Sequence, residues 1–195
     1  MVGARPGLNE EVHATMSTRD EITTALAAQR ERVERWFQAL SSEEMARPVT
    51  ASEVESGEMW TPKDHLAHLV GTERFFQGAI KRAIGGAEDP LGFYTQVGSD
   101  DEEARRTLIN RSNQQAYVKY HDEPAETFFT RLGETRQTTL ALLDGLDDSQ
   151  LAQFIPHSPF GDHTLSALFM TIAGHARQHL HWLDSAVRST QQAGG

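Results

Sequence analysis

The sequence predicts an all-α fold, a four-helix bundle with a long crossover connection, and three observations carry that expectation. Four segments place apolar residues at helical spacing, three of them open on a capping threonine, and no alternating apolar and polar run of useful strand length occurs. With 195 residues, 38% hydrophobic and 24% charged, the chain is long enough for one well-buried core and short for two, so a single domain is expected.

The first helix follows Thr18, an N-cap with Glu21 three residues on, and carries the stripe Ile22, Leu26, Val33, Trp36, Phe37 and Leu40. Before it, residues 1–16 hold Gly3, Pro6 and Gly7 and no periodicity, so they read as a disordered extension, with Met16 as an alternative start. Pro48 and the polar stretch Thr50 to Glu58 predict a loop. Thr61 then caps a second helix with Pro62 at its first position, where a missing N–H costs nothing, and that helix should run to about Ile84 and end at Gly85-Gly86. Residues 85–100, with four glycines and a proline, form the long connection, interrupted afterwards by a helical piece from Glu102 to Tyr117.

Pro124 precedes the third helix, which sets Phe128, Leu132, Thr139, Leu142 and Leu143 on one side and stops at Gly145. Pro156, Pro159 and Gly161 break the chain again, and Thr164 caps the fourth helix, Leu165 to about Ser189. The bundle domain therefore spans 17–190, with 191–195 as a flexible tail. Its direction pattern is up-down-down-up or up-down-up-down.

Charge and composition exclude several functions. Lys plus Arg number 18 against 28 Asp plus Glu, a net charge of -10 that repels phosphate backbones and anionic lipid, so neither nucleic-acid nor membrane-surface binding is expected. Without cysteine the chain has no disulfide, no thiolate metal ligand and no cysteine nucleophile. No run reaches the ~18 apolar residues of a membrane span, and the first fifteen residues lack a signal-peptide core, so a cytoplasmic location is the expectation.

The chemistry-bearing residues are histidines. Advancing ~100° per residue from Leu165, the core positions Leu168, Phe169, Ile172, Ala176, Leu183 and Ala186 fall within about 60° of it, His175 and His179 at roughly 280° and 320°, and His181 at roughly 160°. His175 and His179 thus face inward, and His181 and Arg177 face solvent. On the second helix Lys63, Asp64, Arg74, Lys81 and Arg82 mark a solvent arc, with Leu66, Leu69, Phe75, Phe76, Ile80, His65, His68 and Glu73 opposite. Either histidine can look inward, and His65 lies nearer the middle of the buried side. Two neutral imidazoles one turn apart each need a partner, and one divalent cation satisfies both. The segment 175–179 has no Glu after its first His, so it lacks the general base of a metallopeptidase. Glu73 on the inward flank calls for a partner, a salt bridge to a neighbouring helix first and a ligand imidazole to orient second. Trp60 serves as the hydrophobic staple of the second helix, and Phe93, Tyr94, Tyr117 and Tyr120 are candidates to close over a metal site.

The run from Trp60 to Leu69, with Trp60-Thr61 opening the helix and His68-Leu69 two turns on, together with the later His175-x3-His179, resembles the DinB/YfiT-like metalloenzyme superfamily. The similarity extends from the first helix to the last. The resemblance implies a DinB-like four-helix bundle whose divalent metal, zinc or nickel and sometimes iron, is held by three histidines. It assigns these to His68, His175 and His179, with His65 left as a support to a ligand or a proton shuttle. It further implies an enzyme acting on a small-molecule substrate, by transfer or isomerisation with a low-molecular-weight thiol such as bacillithiol or mycothiol, or by hydrolysis. A non-catalytic ligand-binding bundle is the reading from another class, and a homodimer is a further expectation. Imidazole ligation suits zinc, nickel, iron and copper alike. Substrate choice is expected to lie with the loops around Gly85 to Asp100 and Gln153 to Asp162.

Overall fold

The computed structural model describes residues 17–51, 59–99 and 101–193. The extension expected over 1–16 lies outside the described residues, as do 194–195 of the expected tail. The elements are α1 (Arg19–Gln38), α2 (Ser42–Ala46), β1 (Thr50–Ala51), β2 (Met59–Trp60), α3 (Pro62–Ile84), α4 (Phe93–Val97), α5 (Glu102–Tyr120), α6 (Ala125–Asp144), α7 (Asp148–Leu151) and α8 (Leu165–Ala193). The fold is an all-α bundle of α1, α3, α6 and α8. No helix among the described residues is long and apolar enough to cross a membrane.

The predicted caps form. Thr18 and Glu21 close a capping box on α1, and Thr61 and Asp64 close one on α3, behind Pro62. At the start of α8 the Thr164 hydroxyl accepts from the Ala167 N–H at 3.3 Å. These bonds satisfy N–H groups that a helix start leaves without partners.

Contacts between ends fix the direction of each helix. Histidines 65 and 68 of α3 meet His179 and His175 of α8, so these two helices run antiparallel. Lys63 reaches the His121 carbonyl just before α6, and Gln77 donates to Thr139 at 2.9 Å further along it, so α3 and α6 run parallel. Arg19 donates to the Leu143 carbonyl and Arg136 to that of Leu26, which makes α1 and α6 antiparallel. The pattern is up-down-down-up, one of the two the sequence allowed, with α1 flanked by α8 and α6 and lying diagonal to α3. Because α3 and α6 point the same way, the chain must return along the bundle between them, and α5, packed on α3, makes that return.

The core falls into two apolar halves. One holds Ile22, Leu26, Phe76, Ile80, Phe169 and Ile172, and the other Val33, Phe37, Leu66, Phe128, Leu180 and Leu183. Between them lies a buried polar layer of Gln29, Glu73, Gln77, Thr135, Arg136 and Thr139. Arg136 grips both Glu73 oxygens, at 2.8 and 3.0 Å, and Thr139 donates to the same carboxylate at 2.6 Å. Glu73 therefore makes the expected salt bridge. Its partner escaped the sequence reading because Arg136 stands four residues after Leu132 on the buried side of α6.

Several expectations need correction. The stretch read as loop from Thr50 contains β1, paired antiparallel with β2 as Thr50 opposite Trp60 and Ala51 opposite Met59; residues 52–58 lie outside the described residues. The short helices α2, α4 and α7 lie in segments read as connections, α4 bracketed by Gly92 and Gly98 in the left-handed region at φ 74° and 76°. α5 runs three residues beyond the expected Tyr117, and α8 continues to Ala193, into the expected tail. Asp64, assigned to the solvent arc of α3, is buried, because the end of α5 lies across that arc; Phe75, assigned inward, is exposed.

Candidate metal centre

The α3 cap sets the histidine positions. The box at Thr61 and Asp64 fixes where α3 starts, so His65 and His68 emerge one turn apart on the face turned toward α8. α8 descends opposite, and its own pair one turn apart meets them in reverse order. His68 Nε2 lies 3.2 Å from His175 Nε2, and His179 Nε2 lies 3.0 Å from the same atom. One ring nitrogen from each of His68, His175 and His179 lies within 4.8 Å of the others. Thr72, one turn beyond His68, sets its hydroxyl 3.4 Å from His68 Nε2.

The trio fits a metal ion. A ring nitrogen offers one N–H or one lone pair, so His175 Nε2 can make one good hydrogen bond with its two neighbours and not two. A cation takes three lone pairs at once. Metal–nitrogen bonds of about 2.0–2.1 Å place neighbouring imidazole nitrogens roughly 3 Å apart, close to the 3.2 and 3.0 Å of the two edges that meet at His175.

Burial keeps these rings neutral. Desolvation lowers His175 to about 4, with the ring in the lone-pair form a metal needs. Desolvation, followed by the neighbouring histidines, holds His68 well below its ordinary value and likewise pushes His179 down. His65 is lowered to about 4 by desolvation, against an opposing pull from the Asp64 charge.

His65 does not join the trio but stands behind it. Its Nδ1 lies 2.8 Å from His179 Nδ1 and its Nε2 lies 2.6 Å from Thr50 Oγ1. A lone pair on His179 Nε2 requires the proton on its Nδ1, which then donates to His65 Nδ1; His65 in turn donates from Nε2 to Thr50. The chain of bonds has one consistent polarity. The angular preference for His65 as the more buried residue is correct, yet its position places it one contact behind the three converging nitrogens. Trp60 packs edge-on to His65, the fourth residue of the helix, as a staple does, and also covers His68, with both centroids 5.2 Å away. Trp182 flanks His179 at 4.9 Å. His181 and Arg177 are exposed, as the wheel predicts.

The aromatic candidates divide. Tyr117 and Tyr120 line a narrow cleft of about 10 Å³ beside His68, together with Trp60, Asp64, Asn113 and His121. Phe93 instead stacks on Phe75, and Tyr94 on His157, at the other end of α3. The loops expected to shape the substrate site meet at that far end too, where Gln153 donates to the Ala83 carbonyl. At ~1.5 Å per residue this lies about 22 Å along α3 from His68, so α5 and not those loops walls the cleft. Thr50, Thr72 and His121 were missed by sequence reasoning. Thr50 and His121 sit where only strand pairing and the crossover bring them to α3, whereas Thr72 was legible as the position four after His68.

The sequence pattern of the DinB superfamily matches residues 51–183, a span that takes in Trp60, His65, His68, His175 and His179. In fold the chain is similar to the crystal structure of a protein from Streptococcus pneumoniae, with 15% identity, a TM-score of 0.61, and 89% of this chain and 93% of that chain covered. At that identity the likeness shows the fold alone. No curated protein matches the chain.

Proposed function

Because the chain belongs to the DinB superfamily, we propose that it is a metal-dependent enzyme acting on a small molecule, with His68, His175 and His179 holding a divalent ion, zinc or nickel first and iron next. The observation that carries this reading is the convergence of three neutral imidazole nitrogens from α3 and α8 within 4.8 Å. An ion held by three neutral ligands keeps its full charge and an exchangeable position, which lowers the pKa of water or a thiol bound there. His65, through His179 and Thr50, orients a ligand ring, Trp60 excludes water from the back of the site, and Thr72 offers a hydroxyl at its edge.

Thiol transfer is the favoured reaction. With no cysteine in the chain, the thiol must arrive as a low-molecular-weight cosubstrate, and the groove of about 670 Å³ that shares His121 with the cleft falls in the size range of small-molecule sites. Hydrolysis is the second reading, favoured by the cleft beside His68, whose 10 Å³ is about the room for one water.

Elemental mass spectrometry on tag-free protein tests the metal centre, with His68→Ala and His175→Ala alongside. Near-stoichiometric metal, lost in both variants, is the expected result. Screening small thiols against electrophiles then separates transfer from hydrolysis, because hydrolysis proceeds without the thiol. A chain that stays metal-free after reconstitution with zinc, nickel and ferrous iron would defeat the reading and leave a ligand-binding bundle.

A further inference from the structure

The geometry points to a proton-transfer role for His121, with Asp64 as its positioning residue, in the cleft beside His68. This rests on the three-histidine reading above.

Asp64 is a fixed carboxylate. Its side chain is 3% exposed, and its Oδ2 accepts from the Thr61 N–H at 2.9 Å and the Thr61 hydroxyl at 2.6 Å. Its other oxygen, Oδ1, lies 3.1 Å from His121 Nδ1. A carboxylate only accepts, so it holds the proton on Nδ1 and leaves Nε2 as the working nitrogen. Two further contacts hold the residue in place: the Tyr117 ring lies 4.6 Å from the imidazole, and Lys63 donates to the His121 carbonyl. A carboxylate-oriented imidazole of this kind is one recurring arrangement for acid–base catalysis.

Its location matches the role. The His121 side chain is 44% exposed and borders both the narrow cleft that contains His68 and the open groove. Phe37, Leu40, Met45 and Phe129 give that groove an apolar floor. The charged groups around His121 are Asp64 and Lys63 of α3, and Asp122, Glu123 and Glu126 along the groove. A small electrophile with an apolar body, such as an ester or thioester, can lie in the groove and turn its reactive carbon past His121. His121 Nε2 then takes the proton that water or a thiol sheds as its oxygen or sulfur bonds to that carbon. The imidazolium, its Nδ1–H still on Asp64, returns the proton to the leaving group as the bond from carbon to that group breaks.

The test uses the full chain loaded with zinc. Long-range proton–nitrogen NMR reads the tautomer of His121, expected as Nδ1–H, and Asp64→Asn is expected to lose that preference. With 4-nitrophenyl acetate as probe, His121→Gln is expected to lower the cleavage rate about 100-fold or more, while zinc content and circular dichroism stay at wild-type values. An Nε2–H tautomer in the wild-type chain, or wild-type cleavage by His121→Gln, would overturn the role. A chain that loads zinc and leaves the ester intact would also overturn it, with the metal centre still standing. A wild-type chain that takes up no zinc defeats the three-histidine reading itself.

Discussion

His65 Nδ1 lies 2.8 Å from His179 Nδ1, a contact between α3 and α8 that fixes which nitrogen of His179 faces the centre. Outer partners of this kind commonly tune metal affinity by about 10–100-fold. His65→Phe keeps a planar aromatic ring and removes the acceptor, so it is expected to weaken metal binding by about that factor. His179→Phe is expected to abolish it. Competition with a chromogenic chelator measures both, and equal affinity in His65→Phe and wild type would contradict the assignment.

Metal should stabilise the folded chain by mass action. At about 100 times the dissociation constant, one bound ion adds about 2.7 kcal/mol, which for a domain of this size corresponds to about 5–10 °C in Tm. Scanning calorimetry with and without zinc checks the shift. His68→Ala and His175→Ala should keep their helicity and show no zinc-dependent rise.

Acid should destabilise the metal-free chain through the same rings. His65 and His175 titrate at about 4 in the folded state, lowered chiefly by desolvation, against about 6.5 when unfolded. The unfolded chain therefore binds more protons between those values, and stability falls as pH drops through 6.5 toward 4. Urea unfolding at pH 7.5, 5.5 and 4.5 reads the trend. Replacing both histidines with Gln should lessen the slope, with the remainder carried by His68 and His179, which burial also lowers.

The Glu73–Arg136 pair is a separate structural feature. Both side chains are almost fully buried, so Glu73→Ala leaves a guanidinium without its counter-charge, at an expected cost of about 3–5 kcal/mol. The double variant Glu73→Leu with Arg136→Met removes both charges and should recover most of that loss. Denaturant midpoints compare them. Metal content should be unchanged in the double variant, since neither side chain belongs to the histidine trio.

Local chemistry made much of this legible from one dimension. Thr18 with Glu21, Thr61 with Pro62, and Gly145 act within a few residues of themselves, so they mark the starts of α1 and α3 and the end of α6 without knowledge of the rest. The inward direction of His175 and His179 follows from α8 alone, because one helix's periodicity suffices to sort its faces. α3 was harder: its face near the N-terminus is covered by α5 as well as by α8, so Asp64 could not be placed by periodicity.

Residue order and spacing thus determined the bundle, its helix starts, and two inward histidines on one helix. The tertiary structure decided the rest: that α3 and α8 run antiparallel so that His68 meets His175 and His65 meets His179, that Thr50 reaches His65 through strand pairing, and that His121 returns to Asp64 over 57 residues. Contacts between distant segments depend on how helices pack and which way the crossover runs. Those choices arise from apolar burial summed over the whole chain, and no local pattern records that sum.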